Sequence, residues 1–270
     1  MANTIFYFTG TGNSLKVAKD IAAKVDNSNI VSMASTIDAV SDLAPQGAVG
    51  FVFPVYYFGL PQLVREFISS ISLNDASYLY IACTYGKTGG NGGCISQANR
   101  LLKSRGKMLN ATFYVKSVDN FILWTWDVPP LKKHPALHEN ARKKSEHIAK
   151  IVMNRENYRD KSFTEYTGPI IFGYNRFIKT VQTDDKAFHY SDNCTSCGLC
   201  ERVCSTGNIC LNGGYPLWKS KTCQRCLACL HWCPSTCIQY GRITAKRQRY
   251  KNPYITVNEL SNRSFKTQPF

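Results

Sequence analysis

The sequence predicts an α/β protein: a doubly wound parallel sheet followed by a second, small α+β unit built around cysteine. Three observations lead there. Strand-like and helix-like runs alternate over roughly the first 155 residues, the pattern of a parallel sheet covered on both faces. Three of the strands run into loops of glycines, hydroxyls and aromatics. Ten of the twelve cysteines lie between Cys194 and Cys237, a density that belongs to a separate unit.

Asn3 to Thr9 is β-rich, and Ser14 to Val25 follows as an amphipathic helix with Leu15, Ala18, Ile21, Ala22 and Val25 on one stripe. Ala48 to Val55 reads as a buried strand. Pro61 then opens a helix whose apolar face is Leu63, Val64, Phe67, Ile68 and Ile71. Tyr78 to Thr84 is a further apolar strand, and the glycine-rich loop Gly86 to Gly93 follows it. A helix from Cys94 to Lys103, a strand from Met108 to Lys116 and a helix from Glu139 to Met153 complete the first unit. The aromatic, proline-containing stretch 121–135 breaks the alternation. The expected division is therefore 1–155, a linker over 156–187, the cysteine unit over 188–242, and a basic tail over 243–270.

Hydrophobic residues make up 44% of the chain, which excludes wholesale disorder. No run approaches the ~18 apolar residues of a membrane span, and the first residues lack the basic segment of a secretory leader. The expectation is a soluble, cytoplasmic protein that is not transmembrane. Clustered thiols in such a chain point to metal, because disulfide frameworks belong to small secreted proteins. The formal charge is +15. A solvated basic surface explains it more cheaply than nucleic acid, so no nucleic-acid partner is expected.

The cysteines form two runs of one spacing, Cys194-x2-Cys197-x2-Cys200-x3-Cys204 and Cys223-x2-Cys226-x2-Cys229-x3-Cys233-Pro234. Three thiols two residues apart wrap one face of a four-iron cubane, and the fourth reaches a second cubane. The spacing predicts two 4Fe–4S clusters, one on Cys194, Cys197, Cys200 and Cys233, the other on Cys223, Cys226, Cys229 and Cys204. A zinc ribbon would leave the third cysteine of each run without a role, and a redox dithiol would leave six unexplained. Ser205 stands where this spacing usually carries proline. Cys210 and Cys237 fall outside the ligand pattern and are expected as small buried hydrophobes.

Thr9-Gly10-Thr11-Gly12-Asn13-Ser14 lies at the first strand–helix junction. Its hydroxyls, its amide and the backbone N–H groups of a helix start suit a phosphate. It lacks the lysine of a nucleotide-triphosphate loop. Pro54, Val55, Tyr56, Tyr57, Phe58 and Gly59 offer aromatic faces, and Thr84, Tyr85, Gly86, Gly89 and Gly90 offer a donor-rich backbone. In a doubly wound sheet all three loops fall at the carboxyl edge, where ligands bind, and together they suit a flavin.

On these motifs the chain resembles flavodoxin-like proteins fused to a bacterial-type two-cluster ferredoxin, the iron–sulfur flavoproteins of anaerobes. The resemblance covers about residues 3–155 and 188–242. It implies FMN, with its phosphate in the Thr9–Ser14 loop and its ring between the two later loops. Flavin exchanges electrons singly or in pairs and each cubane one at a time. The expected function is therefore electron relay between FMN and an external redox protein, donor or acceptor. The alternative is an FMN-dependent reductase of a small substrate fed by the clusters. A homodimer is an open arrangement, and no catalytic acid–base pair stands out.

Overall fold

The computed structural model describes residues 2–87, 92–123, 126–161 and 168–261. The first unit runs β1 (Asn3–Tyr7), α1 (Asn13–Ala22), β2 (Ser28–Ser32), α2 (Met33–Thr36), β3 (Gly47–Pro54), α3 (Gln62–Ser70), β4 (Ala76–Tyr85), α4 (Cys94–Lys103), β5 (Ala111–Lys116), α5 (His134–Met153) and β6 (Tyr158–Arg159). The six strands form one sheet in the order β2-β1-β3-β4-β5-β6, with every pair parallel. Alternation along β1 divides the core. Phe6 and Phe8 join Phe51, Phe67 and Ile81 on one face, while Ile5 and Tyr7 join Leu15, Ile21, Phe113 and Ile148 on the other. The winding reverses at β1, which has β2 on one side and β3 on the other. That opens a crevice at the carboxyl ends of these strands.

α6 (Gly168–Thr180) leads into the cysteine unit: β7 (Phe188–Tyr190), α7 (Leu199–Arg202), β8 (Ile209–Asn212), β9 (Tyr215–Trp218), α8 (Ala228–Trp232) and β10 (Ile238–Tyr240). β7 pairs antiparallel with β10, and β8 with β9. The turn between β8 and β9 is Gly213–Gly214 with both φ angles positive, the hairpin geometry that glycine permits. The two halves repeat in backbone as well as in spacing. Ser196 and Gly198 lie two and four residues after Cys194, Arg225 and Leu227 two and four after Cys223, and all four are left-handed. Gly207 and Thr236, three after the last cysteine of each run, are left-handed too.

Several boundaries differ from the sequence expectation. α5 begins at His134, five residues earlier than Glu139, with Pro135 in its first turn, where proline costs no helical hydrogen bond. β5 begins at Ala111 because Met108 projects into solvent. Over the linker segment, read as without clear periodicity, β6 extends the sheet and α6 buries Tyr174 and Phe177. The stretch 121–135 buries Ile122, Leu123 and Val128 in the core of the cysteine unit, against Phe188, Leu227, Leu230 and Ile238. His134 and His138 are half-buried beside the Tyr250 ring.

The expected tail is docked as far as α9 (Val257–Ser261). Tyr250, Asn252 and Ile255 are buried, and Lys19 pairs with Glu259. Asn13, the first residue of α1, organises this docking. Its Nδ2 donates to the Val118 carbonyl at 2.9 Å, and its Oδ1 accepts from the Tyr250 hydroxyl at 2.6 Å and from Asn252 Nδ2 at 3.0 Å. Among the described residues no helix is long and apolar enough to cross a membrane. Asn13→Ala removes three part-buried hydrogen bonds and is predicted to cost about 1–3 kcal/mol. Urea unfolding measures that loss, and limited proteolysis is expected to cut earlier near Arg247 and Arg249.

Candidate functional site

A cleft opens at the sheet edge. It is lined by Thr9, Gly10, Thr11, Asn13 and Ser14 after β1, by Pro54, Val55 and Tyr56 after β3, and by Thr84, Tyr85 and Gly86 after β4. Gly89 and Gly90 lie outside the described residues. Gly12 precedes α1 with a left-handed φ of 97° and gives it no side-chain cap, so the first N–H groups of the helix have no intrahelical acceptor.

The hydroxyls of the first loop are held as acceptors. Thr9 Oγ1 accepts from the Gly12 N–H at 3.1 Å, and Thr11 Oγ1 from Asn120 Nδ2 at 2.8 Å. Ser14 Oγ and Thr84 Oγ1 share one hydrogen bond at 2.8 Å. A hydroxyl that accepts still has its own hydrogen to give. Thr9 and Thr11 each keep theirs, and one remains on the Ser14–Thr84 pair. Three O–H donors and an uncapped helix start suit an anion. Asn13 contributes its backbone N–H, because its side chain is committed to Val118, Tyr250 and Asn252.

The second loop is a tight turn in which Tyr56 and Gly59 exchange both backbone hydrogen bonds at 2.9 Å. Tyr57 and Phe58 are left-handed at its tip, a conformation that costs non-glycine residues of order 1–3 kcal/mol each. α6 holds it there. Tyr57 stacks on Phe177 with centroids 6.0 Å apart, and the Tyr174 hydroxyl donates to the Leu60 carbonyl at 2.9 Å. A Cβ on Gly59 would collide with the Tyr174 ring. Pro54, Val55 and Tyr56 therefore face the cleft, while Tyr57, Phe58 and Gly59 belong to the clamp.

A fourth wall lies outside the sequence expectation: Ser117, Val118, Asp119, Asn120 and Phe121, after β5. The signal for it is that β5 ends at the same edge as β1, β3 and β4. Asp119 sits against Gly86, where a Cβ would strike the Asp119 side chain, and its Oδ1 accepts from the Phe121 N–H at 2.9 Å. Burial raises its carboxyl above the usual range, against smaller opposing effects from that N–H and from Lys87.

The cysteines gather as two groups. Cys194, Cys197, Cys200 and Cys233 line one small pocket, together with Cys237. Cys204, Cys223, Cys226 and Cys229 are mutual electrostatic neighbours. The fourth cysteine of each run thus stands with the other run. Cys237 is buried as expected, though its Sγ lies 3.4 Å from that of Cys233; Cys210 is only half-buried. Burial pushes Cys226 up to about 12 and Cys200 up to about 11, and also raises Cys223 and Cys229. Such thiols stay protonated unless a positive centre binds the thiolate. N–H groups already meet two sulfurs, from Asn208 to Cys204 at 3.2 Å and from Arg225 to Cys223 at 3.3 Å. Among the described residues no three His, Cys, Asp or Glu side chains converge on a single metal-ion position.

The second run abuts the cleft. A Cβ on Gly10 would collide with the Cys226 carbonyl, and Trp232 Nε1 donates to the Gly10 carbonyl at 3.2 Å. Gln224 Oε1 caps the start of α3 by accepting from the Leu63 N–H at 2.9 Å. Buried His231 accepts at Nδ1 from the Tyr250 N–H at 3.1 Å, so Nε2 carries the proton donated to the Asn120 carbonyl at 2.7 Å.

Residues 4–113 match the flavodoxin domain family, so the N-terminal unit has a flavodoxin-like fold. No curated protein matches the chain. Among solved structures, the Trp repressor binding protein from Bacillus subtilis is 17% identical, covering 52% of this chain and 96% of its own, with a TM-score of 0.33. An FMN-dependent NADH-azoreductase from Bacillus anthracis str. Ames Ancestor, solved in complex with FMN, is 11% identical over 57% of this chain and 100% of its own, with a TM-score of 0.39. A flavodoxin from the domain Archaea is 14% identical over 56% and 99%, with a TM-score of 0.34.

Asp119 carries the pH prediction. A carboxyl raised in the folded state contributes stability fully present below its unfolded pKa and lost as pH rises through the folded one. Asp119→Asn is therefore expected to be more stable than the parent at neutral pH. The difference should close as pH falls towards 4, as followed by thermal unfolding at stepped pH.

Proposed function

We propose that the chain is an electron-transfer iron–sulfur flavoprotein that relays electrons between FMN and external redox proteins through two 4Fe–4S clusters. The observation that carries this reading is the shared wall between the two candidate seats. Gly10, in the hydroxyl loop of the cleft, touches Cys226 of the second cysteine run backbone to backbone. Groups seated on either side of that contact would lie within reach of each other.

The residues fit the groups. For FMN, the O–H hydrogens of Thr9, Thr11 and the Ser14–Thr84 pair, with the N–H groups at the start of α1, would hold the phosphate. Tyr56 and Tyr85 line the part of the cleft where an aromatic ring system would rest. For the clusters, the crossed grouping of cysteines matches two cubanes, each of which takes one thiolate per iron. The repeated left-handed residues beside the cysteines turn the chain tightly around each position. Bound flavin would supply both one- and two-electron chemistry, and the clusters single-electron steps. The chain's own part is to hold these groups close, keep water from the buried thiols, and keep Asp119 protonated to a higher pH than an exposed carboxyl.

Asp119 also favours a second reading. A raised carboxyl inside the cleft suits proton delivery to a small molecule reduced at the flavin, so an FMN-dependent reductase is the alternative. Anaerobic reconstitution followed by absorbance, flavin release and iron and sulfide analysis tests the cofactors. Flavin with iron and sulfide in cluster stoichiometry is expected; bound zinc without a visible chromophore would sink the reading. Stopped-flow mixing then separates the alternatives. Rapid one-electron exchange with a reduced redox protein supports the relay, whereas turnover of one small acceptor that collapses in Asp119→Asn supports the reductase.

A further inference from the structure

The two cysteine groups stand differently towards the cleft. Contacts between the cysteine unit and the β1 and β3 loops come from the second run and its helix: Cys226 against Gly10, Trp232 to the Gly10 carbonyl, and Gln224 to Leu63. The Tyr56 phenol, a wall of the cleft, lies in the neighbourhood of Cys226 and Cys223. The other group faces outward. Cys197 is exposed, and the cavity it shares with Cys194, Cys200 and Cys233 is also lined by Leu211, Gly214 and Pro216 of the β8–β9 hairpin. Leu211, Tyr215 and Leu217 of that hairpin are exposed apolar side chains. The two groups meet in one apolar core, where Cys229 is buried and Cys200 packs against the same cluster.

We propose that the Cys204/Cys223/Cys226/Cys229 quartet is the flavin-side relay, and that the Cys194/Cys197/Cys200/Cys233 quartet is the outer port, which exchanges electrons with a one-electron redox protein. The assignment rests on the cofactor reading above and adds an order to it. One electron leaves the reduced partner, which is oxidised by one equivalent, and enters the outer quartet. With the clusters and flavin bound, Cys200 and Cys229 would join the two seats, and Gly10 and Tyr56 would lie between the inner seat and the flavin. Two one-electron passages and two protons from water would balance the flavin's two-electron reduction, and the reverse order would balance its oxidation.

The 31P resonance of bound FMN tests the order without reference to activity. The flavin phosphate belongs in the loop that touches Cys226, and paramagnetic broadening falls steeply with distance. With flavin and clusters fully reduced, the flavin is diamagnetic and the clusters are not. The 31P line of the reconstituted parent is expected to be broad. Cys197→Ser should leave that broadening in place, and Cys223→Ser should remove most of it, with iron and sulfide counts confirming which site changed. Loss of broadening in Cys197→Ser, or its full retention in Cys223→Ser with that cluster gone, overturns the order. If Cys223→Ser does not fold, Cys197→Ser decides alone: retained broadening supports the order and lost broadening refutes it. A parent that takes up flavin but no iron or sulfide overturns the cofactor reading itself, and the order with it.

Discussion

One backbone contact governs how the two units of this protein sit together. Gly10 and Cys226 approach so closely that any side chain at position 10 would strike the Cys226 carbonyl. Glycine there serves the joint between units as well as the turn before α1. Around this point the other contacts fall into place: the Trp232 indole on the Gly10 carbonyl, the Gln224 cap on α3, and His231 bridging the loop after β5 to the C-terminal segment. Each satisfies a polar group that burial would otherwise leave costly. The joint is therefore specified by hydrogen bonds as much as by apolar area.

Much of this was legible where the physics is local. The spacing of the cysteine runs concerns residues a few positions apart, so the two runs are readable as one repeated unit from sequence alone. The hydroxyl loop at Thr9–Ser14 sits between a strand and a helix that periodicity alone identifies. The Gly213–Gly214 turn is equally local. What escaped is long-range. Asn13 reads as a phosphate-loop amide, yet its side chain bonds Tyr250 and Asn252, some 240 residues away in sequence. Nothing near Asn13 encodes that partnership.

α6 and the fourth wall escaped for different reasons. α6 buries only Tyr174 and Phe177 and is interrupted by Gly173, so its apolar stripe is too thin to read as a period. The Ser117–Phe121 wall carries no glycine cluster to mark it. It could have been found from topology, since every strand of a parallel sheet ends at one edge. The aromatic stretch from residue 121 reads in sequence only as a break in the alternation, because composition does not say which unit receives it. The receiving core belongs to the cysteine unit, a choice made by Phe188, Leu227 and Ile238.

The pairing of β7 with β10 has a consequence for how such a protein is assembled from parts. Neighbouring strands lie about 5 Å apart, so the cysteine unit begins and ends at adjacent points. A module with neighbouring ends interrupts a host chain at a single place and leaves the host's path on either side intact. Here the chain leaves the sheet after β6, forms the unit, and returns through Tyr250 and Ile255 to lie against α1. In architectural terms the cysteine unit is an inlay, held in place by a host that closes again behind it.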